Sequence, residues 1–203
     1  MTIERGSEWG RTGSLPDGAP TITSDAQLGA LVTRYRRSGD PLPTVGLLGG
    51  DLCRTVGGRG DADRLRSGQA RLLPVDVGSV LIDGRLHWFV AHLVARRSWW
   101  WGRIWAACNA QWIGSWDVAP RAHPGDGRLD VLDVQLSFGD RLAARQRLVT
   151  GTHVPHPDIA QQRTKAIQVS FDRLLTVHLD GVSVGPARQL SVRVEPDALT
   201  VVV

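Results

Sequence analysis

Four short runs hold the residues of this chain best suited to chemistry. Gly46-Leu47-Leu48-Gly49-Gly50-Asp51 reads as a strand turning tightly into a helix, where exposed backbone N–H groups can receive a phosphate. Glycine is also what such a turn needs sterically. Asp51 fits equally well as a first-turn acid of the following helix, so both uses of the run stay open. His123-Pro124-Gly125-Asp126-Gly127-Arg128-Leu129-Asp130 is a turn-rich loop entering a strand. Backbone carbonyls together with Asp126 can hold a hard cation there; the alternative is that Asp126 closes the turn on its own backbone while Asp130 faces solvent. His153-Val154-Pro155-His156-Pro157 has metal-like spacing. Its prolines exclude a helix and no third ligand is nearby, so it reads as a helix exit and a rigid loop.

The fourth run is aromatic. Six of the 8 tryptophans, Trp99, Trp100, Trp101, Trp105, Trp112 and Trp116, lie close together in the chain. Alternation along a strand puts Trp100, Ile104, Ala106 and Cys108 on one face, which reads as core, and Trp99, Trp101, Arg103 and Trp105 on the other. Arginine among indoles suits a membrane interface, a stacked ligand or a partner surface. Trp99, Trp101 and Trp105, with Arg96, Arg97 and Arg103, are therefore expected to form an exposed amphipathic patch. Packing beneath the α/β piece over 21–68 is the competing expectation.

The elements that must position these runs follow from periodicity. Residues 1–20 are rich in glycine and proline and read as a flexible leader. Ser24 or Thr23 caps a helix with Leu28, Leu31, Val32 and Tyr35 on one face, and Gly39 and Pro41 stop it. Thr44–Leu48 reads as a short buried strand. From residue 69 the period becomes that of strands. Runs at 73–80, 86–94, 101–110, 129–136, 166–170, 174–179, 190–194 and 198–203 are joined in part by the hairpin turns Asp83-Gly84 and Asp180-Gly181. One further helix is expected over about 140–149. The fold class is α+β and strand-rich, an antiparallel β-sandwich-like domain over 69–203 behind a small α/β piece over 21–68.

Composition narrows the function. The 203 residues carry a net charge of +4, and Lys165 is the only lysine beside 23 arginines. No block of like charge supports a nucleic-acid partner. Cys53 and Cys108 stand far apart without metal-ligand spacing, which favours a reducing, cytoplasmic setting. No apolar run reaches the roughly 18 residues of a membrane-spanning helix, so any membrane contact is expected to be peripheral.

Several motifs together resemble the diacylglycerol/sphingosine-type lipid kinase family, mainly its C-terminal domain. They are Asn109, Gly114, Ala119-Pro120-x-Ala122 and Asp126-Gly127-x-Leu129-Asp130-Val131. Pro74-Val75-Asp76-Val77-Gly78, Phe89-Val90, Gly151-x-His153 and His178-Leu179-Asp180-Gly181 follow the family in order, and Gly49-Gly50-Asp51-Leu52-Cys53-Arg54-Thr55 is similar to its nucleotide-side loop. The resemblance implies a structural Mg²⁺ or Ca²⁺ held by the His123 and Arg128 carbonyls and the Asp126 region.

The departures shape the functional expectation. The family's glycine–aspartate–glycine ATP loop has no counterpart near 21–27, and the preceding lobe is expected to be absent because the chain starts there. The second loop's hydroxyl and amide are replaced in Leu47-Leu48-Gly49-Gly50, and the glutamate of the late hairpin, the family's base, is Val182 here. Asp180 is the one residue able to stand in. The chain is thus expected to be a catalytically degenerate lipid-kinase-like protein that binds no ATP and keeps a lipid, membrane or partner contact. The alternatives are an active lipid phosphotransferase completed by a homodimer partner or a separate ATP-binding chain, and an interaction module using the Trp/Arg surface.

Overall fold

The computed structural model describes residues 9–203. At the front, β1 (Arg11–Gly13) and β2 (Thr21–Ile22) precede α1 (Asp25–Ser38), β3 (Val45–Leu47), α2 (Asp51–Thr55) and α3 (Ala62–Arg66). Strands then dominate: β4 (Ala70–Ile82), β5 (Arg85–Phe89), β6 (His92–Arg96), β7 (Ile104–Cys108), β8 (Trp112–Ile113), β9 (Trp116–Asp117) and β10 (Leu129–Val134). After α4 (Phe138–Leu148) come β11 (Ile159–Thr164), β12 (Ala166–Leu179) and β13 (Val182–Val202). The strand-rich class read from alternation is what the chain forms, with α4 the one helix among the described residues beyond 70.

Local chemistry explains the boundaries. Ser24 caps α1 by accepting the Gln27 N–H, and Gly39 ends it in the left-handed conformation at φ 78°, where a side chain would be strained. Leu28, Leu31 and Val32 bury one stripe of this helix against Val45, Val75, Val77, Leu199 and Val201. Asp83-Gly84 and Asp180-Gly181 both hold positive φ at their two central residues, the geometry that suits the twist of a two-residue hairpin. Asp and Gly adopt it at little cost.

The main sheet runs β1-β4-β13-β12-β6-β7-β10-β11, with β5 on β4 and the parallel pair β2-β3 attached to β13. Register shifts interrupt the β12–β13 and β13–β4 ladders of the long strands β4, β12 and β13. Their inner faces close a core around Phe89, Leu93, Trp105, Leu129, Phe171, Val177 and Leu190. The outer face of β6, β7 and β10 carries a second apolar layer, with Ile104, Ala106, Cys108 and Leu132, on which α4 lies through Ala144 and Leu148.

Two expectations change here. The leader, where it is described, is held rather than loose. Residues 11–13 pair with residues 70–72 of β4, the Trp9 indole donates to the Pro74 carbonyl at 2.9 Å, and Leu15 is buried. Residues 1–8 lie outside the described residues. The single strand read over 86–94 breaks at Val90-Ala91, and a buried carboxylate described below occupies that corner.

Candidate functional site

The glycine turn before α2 is filled from within the chain. The Asp25 carboxylate accepts the N–H of Asp51 at 2.5 Å and of Leu52 at 3.1 Å, which are the donors a phosphate would use. Gly50 sits at φ 99°, and a Cβ there would come within 2.5 Å of Asp25 Oδ1; one at Gly49 would come within 2.5 Å of the Thr23 carbonyl. Glycine is therefore needed so that Asp25 can approach. Burial, and next the neighbouring Asp25, raise the Asp51 carboxyl above its ordinary range, so negative charge is already crowded at this turn. Asp51 Oδ1 accepts the Gly114 N–H at 2.9 Å, Arg54 donates to the Gly114 carbonyl at 2.8 Å, and its guanidinium lies 3.5 Å from the Trp112 ring centroid. The acid-to-Arg-Thr run thus fastens α2 to the β8–β9 ribbon.

Asp180 is buried beneath α1. Its carboxylate accepts three backbone N–H groups, from Val90 at 2.9 Å, Ala91 at 2.8 Å and His92 at 3.0 Å. These bonds create the corner that divides β5 from β6. A Cβ on Gly29 would lie 2.6 Å from Asp180 Oδ2, so the helix seals the carboxylate from solvent. Burial pushes its pKa up to about 7 against the opposing pull of the three N–H groups. Elevation alone is typical of general bases, but a base must also reach the substrate proton, and this one is walled off. Asp180 therefore does not fit as a replacement base. Val182, at the family's base position, is exposed and carries no titratable group.

Asp76 forms the other half of a polar seam through the fold. Its carboxylate accepts the Gly127 N–H at 2.7 Å and the Asp197 N–H at 2.9 Å, and burial raises its pKa to about 6. Asn109 donates to both the Asp76 and Val90 carbonyls at 2.8 Å. The motif residues Asp76, Asn109, Gly127 and Asp180 thus satisfy buried backbone groups where strands change direction, a costly place to leave them unpaired.

The expected cation loop does not fit a bound Mg²⁺ or Ca²⁺. Asp126 Oδ1 closes its turn on the Arg128 N–H at 2.9 Å, while Oδ2 is ion-paired with Arg163. The His123 carbonyl accepts the Asp126 N–H, and the His123 ring packs against Trp9. The Arg163 guanidinium thus already supplies the positive charge that Asp126 would offer a cation. Asp130, which the turn-closing alternative placed in solvent, is buried and lies 3.3 Å from Arg163. The two histidines of the later loop diverge. His153 is buried on the Val118 carbonyl at 3.2 Å, whereas the tertiary fold brings His156 together with Asp140 and Asp158, whose ligand atoms lie within 4.8 Å of one another. Asp158 is two residues from His156 in the chain, whereas Asp140 reaches the group from α4.

The aromatic run divides differently from its alternation. Trp105 is 1% exposed and packs edge-on against Phe171 in the inner core, so it does not belong to a surface patch. Arg103 is committed to Asp133 through Nε–Oδ1 at 2.8 Å and Nη2–Oδ2 at 2.5 Å. Trp99 is half-buried against Trp116 with Arg96 over its ring. Trp101 remains exposed, at 62%, and it stacks on Phe138 of α4 with centroids 5.0 Å apart and planes 13° apart. Phe138, Leu142 and Trp100 are also exposed, Trp100 packs against Phe138 as well, and Arg145 lies over Trp100. Behind this tip is an apolar cavity of about 130 Å³, between α4 and the outer face of β6, β7 and β10, walled by Val94, Ile104, Leu132 and Leu148. The exposed half of the cluster was legible as Trp101; Phe138 and the cavity were not, because α4, which supplies them, begins only at Phe138.

Comparison with known proteins agrees with this architecture. Residues 74–203 match the family model described as the YegS C-terminal NAD kinase beta sandwich-like domain. No curated protein matches the sequence. Among solved structures, a protein designated a diacylglycerol kinase from Bacillus anthracis str. Sterne aligns with a TM-score of 0.63 at 15% identity, over 79% of this chain and 69% of its own. A second diacylglycerol kinase structure from the same organism aligns at 0.58 and 16% identity, over 79% of this chain and 66% of the other. This chain spans about two thirds of those proteins, and at such identity they speak for the fold alone. With the family model covering well over half of its length, the chain belongs to the family of the YegS C-terminal NAD kinase beta sandwich-like domain, the C-terminal domain of the diacylglycerol-kinase-like lipid kinases.

Proposed function

We propose that this lipid-kinase-like chain works by lipid contact rather than by phosphoryl transfer, and that it meets an anionic membrane surface through the tip formed by Trp100, Trp101, Phe138 and Leu142. The observation that carries the reading is the exposed Trp101–Phe138 stack, with the exposed Leu142 one turn further along α4 and the exposed Arg145 over Trp100. Aromatic rings with adjacent arginines suit the headgroup region, where the ring is buried and the charge stays wet. No helix among the described residues is long and apolar enough to cross a membrane; the contact we propose is made by this tip.

The phosphotransfer half of the family's work lacks support in the residues. Phosphoryl transfer depends on groups that position and neutralise the phosphates. Here Asp25 occupies the N–H donors of the glycine turn, Asp180 is saturated by backbone, and Val182 offers no base. The test is incubation of the purified chain with Mg²⁺–ATP and diacylglycerol in mixed micelles. No phosphorylated lipid is expected. Turnover that Asp180→Asn abolishes would overturn this half of the reading and support the active phosphotransferase.

A further inference from the structure

His153 is spent on a backbone carbonyl, but its neighbour in the same run is not. His156 stands with two carboxylates apart from the buried acids that hold the frame. Asp140 comes from the first turn of α4, and His156 and Asp158 come from the loop before β11. One ligand atom from each lies within 4.8 Å of the other two, with Asp140 and His156 half-buried and Asp158 exposed. The imidazole sets this group apart from a cluster of surface acids, because it adds a nitrogen ligand to two oxygens.

The three side chains are held by their surroundings. The Ser137 hydroxyl, which caps α4, donates to Asp140 Oδ2 at 2.5 Å. The Gln135 N–H donates to the Asp158 carbonyl at 2.9 Å and the Ile159 N–H to the His156 carbonyl at 3.0 Å. His156 Nδ1 accepts the Asp158 N–H at 3.1 Å, so the ring is oriented by the residue that offers the third ligand.

Charge points the same way. Elsewhere this arginine-rich chain answers its carboxylates with guanidinium groups: Arg163 at Asp126 and Asp130, Arg103 at Asp133, Arg36 at Glu195. Neither Asp140 nor Asp158 forms an ion pair among the described residues. One imidazole and two carboxylates suit a first-row divalent transition metal, whereas Mg²⁺ and Ca²⁺ favour oxygen alone. Zinc bonds of about 2.0–2.1 Å place tetrahedral ligands about 3.4 Å apart. The group closes to that spacing by rotation of its exposed member, Asp158. A neutral imidazole has a single free ring lone pair; a metal takes it, so binding releases the Asp158 N–H from Nδ1.

We propose that Asp140, His156 and Asp158 bind one divalent transition-metal ion of the zinc class, water completing its shell, and that the ion clasps the start of α4 to the loop before β11. The effect reaches the aromatic tip. Arg141, next to the ligand Asp140, donates to the Leu136 carbonyl at 3.0 Å, the Trp99 carbonyl at 3.2 Å and the Gly102 carbonyl, and Phe138 of the same helix carries the stack with Trp101. Arg141 is the one residue α4 buries fully, so an ion bound only in the folded state stabilises an element that otherwise opens easily. The membrane contact neither requires the ion nor supplies it.

Calorimetric titration of the metal-stripped full chain with ZnCl₂, MgCl₂ and CaCl₂ tests the site. One Zn²⁺ per chain is expected, bound at least about 100-fold more tightly than Mg²⁺ or Ca²⁺. His156→Ala and Asp158→Asn should each weaken Zn²⁺ by about tenfold or more. Their urea midpoints in EDTA should match the wild type, and either variant alone suffices if the other folds poorly. Zn²⁺ should also shift the Asp158 amide resonance and slow hydrogen exchange across α4 in the wild type, and do neither in His156→Ala. No saturable Zn²⁺ binding, or binding that neither variant weakens, would overturn the site. Mg²⁺ bound as tightly as Zn²⁺ would overturn the transition-metal assignment. Zn²⁺ held by these residues without slower exchange in α4 would overturn the clasp.

Discussion

At Asp180 the chemistry of a turn and the chemistry of a catalyst are difficult to tell apart from sequence. An Asp-Gly pair between two strands announces the hairpin, and its φ of 49° shows the turn forming as expected. Only the fold shows the carboxylate reaching back 90 residues to hold the corner at Val90. Asp180→Asn keeps a side chain that tolerates positive φ but turns an N–H-bearing group toward backbone donors. A loss of about 2–3 kcal/mol is expected in urea unfolding. The pH dependence has a definite sign. Asp180 and Asp76, raised to about 7 and about 6 from 3.8, hold protons in the folded chain that the unfolded chain releases near pH 4. Their contribution to stability is full below about pH 4 and is lost as pH rises through 6 and 7. Thermal unfolding should therefore drift downward from pH 5 to pH 8, and Asp180→Asn should flatten part of that drift. The tryptophans sort at the same scale: Trp105→Ala should cost about 3–5 kcal/mol and Trp101→Ala less than about 0.5 kcal/mol, both read from denaturant midpoints.

Among the elements, what was legible depended on whether a signal was local. The cap at Ser24, the stop at Gly39 and both Asp-Gly hairpins are nearest-neighbour chemistry, and each forms where its residues stand. The short strands β1, β2, β8 and β9 carry too few residues for a period and exist because a longer strand or a facing ribbon pairs them. Strand β7 was read with its Trp105 face outward, yet all five of its residues are buried: the Trp105 face packs inside the sandwich and the Ile104 face lies under α4, and alternation alone cannot tell which faces another layer covers. The candidate site suffered most from this. Trp101 was found, but its partner Phe138, the cavity and Arg141 depend on where α4 lies. That helix buries a single residue fully, Arg141, and so should open before the sheet does. Hydrogen exchange is expected to deprotect α4 amides well ahead of those of β12 and β13; equal protection would place α4 in the same cooperative unit as the sandwich.

Taken whole, the molecule is a lipid-kinase-type sandwich in which the family's buried acids hold the frame together while an aromatic tip faces outward beside an apolar cavity. That arrangement predicts a peripheral contact built from apolar insertion and screened charge. The direct measurement is flotation of the purified chain with vesicles of phosphatidylcholine alone and with phosphatidylglycerol added, at low and high salt. The wild-type chain should float with the anionic vesicles, less so in high salt, and Trp101→Ser with Phe138→Ser should remain at the bottom with its thermal midpoint little changed. Wild-type chain that stays unbound at low salt, or a double variant that floats as well as wild type, would contradict the account.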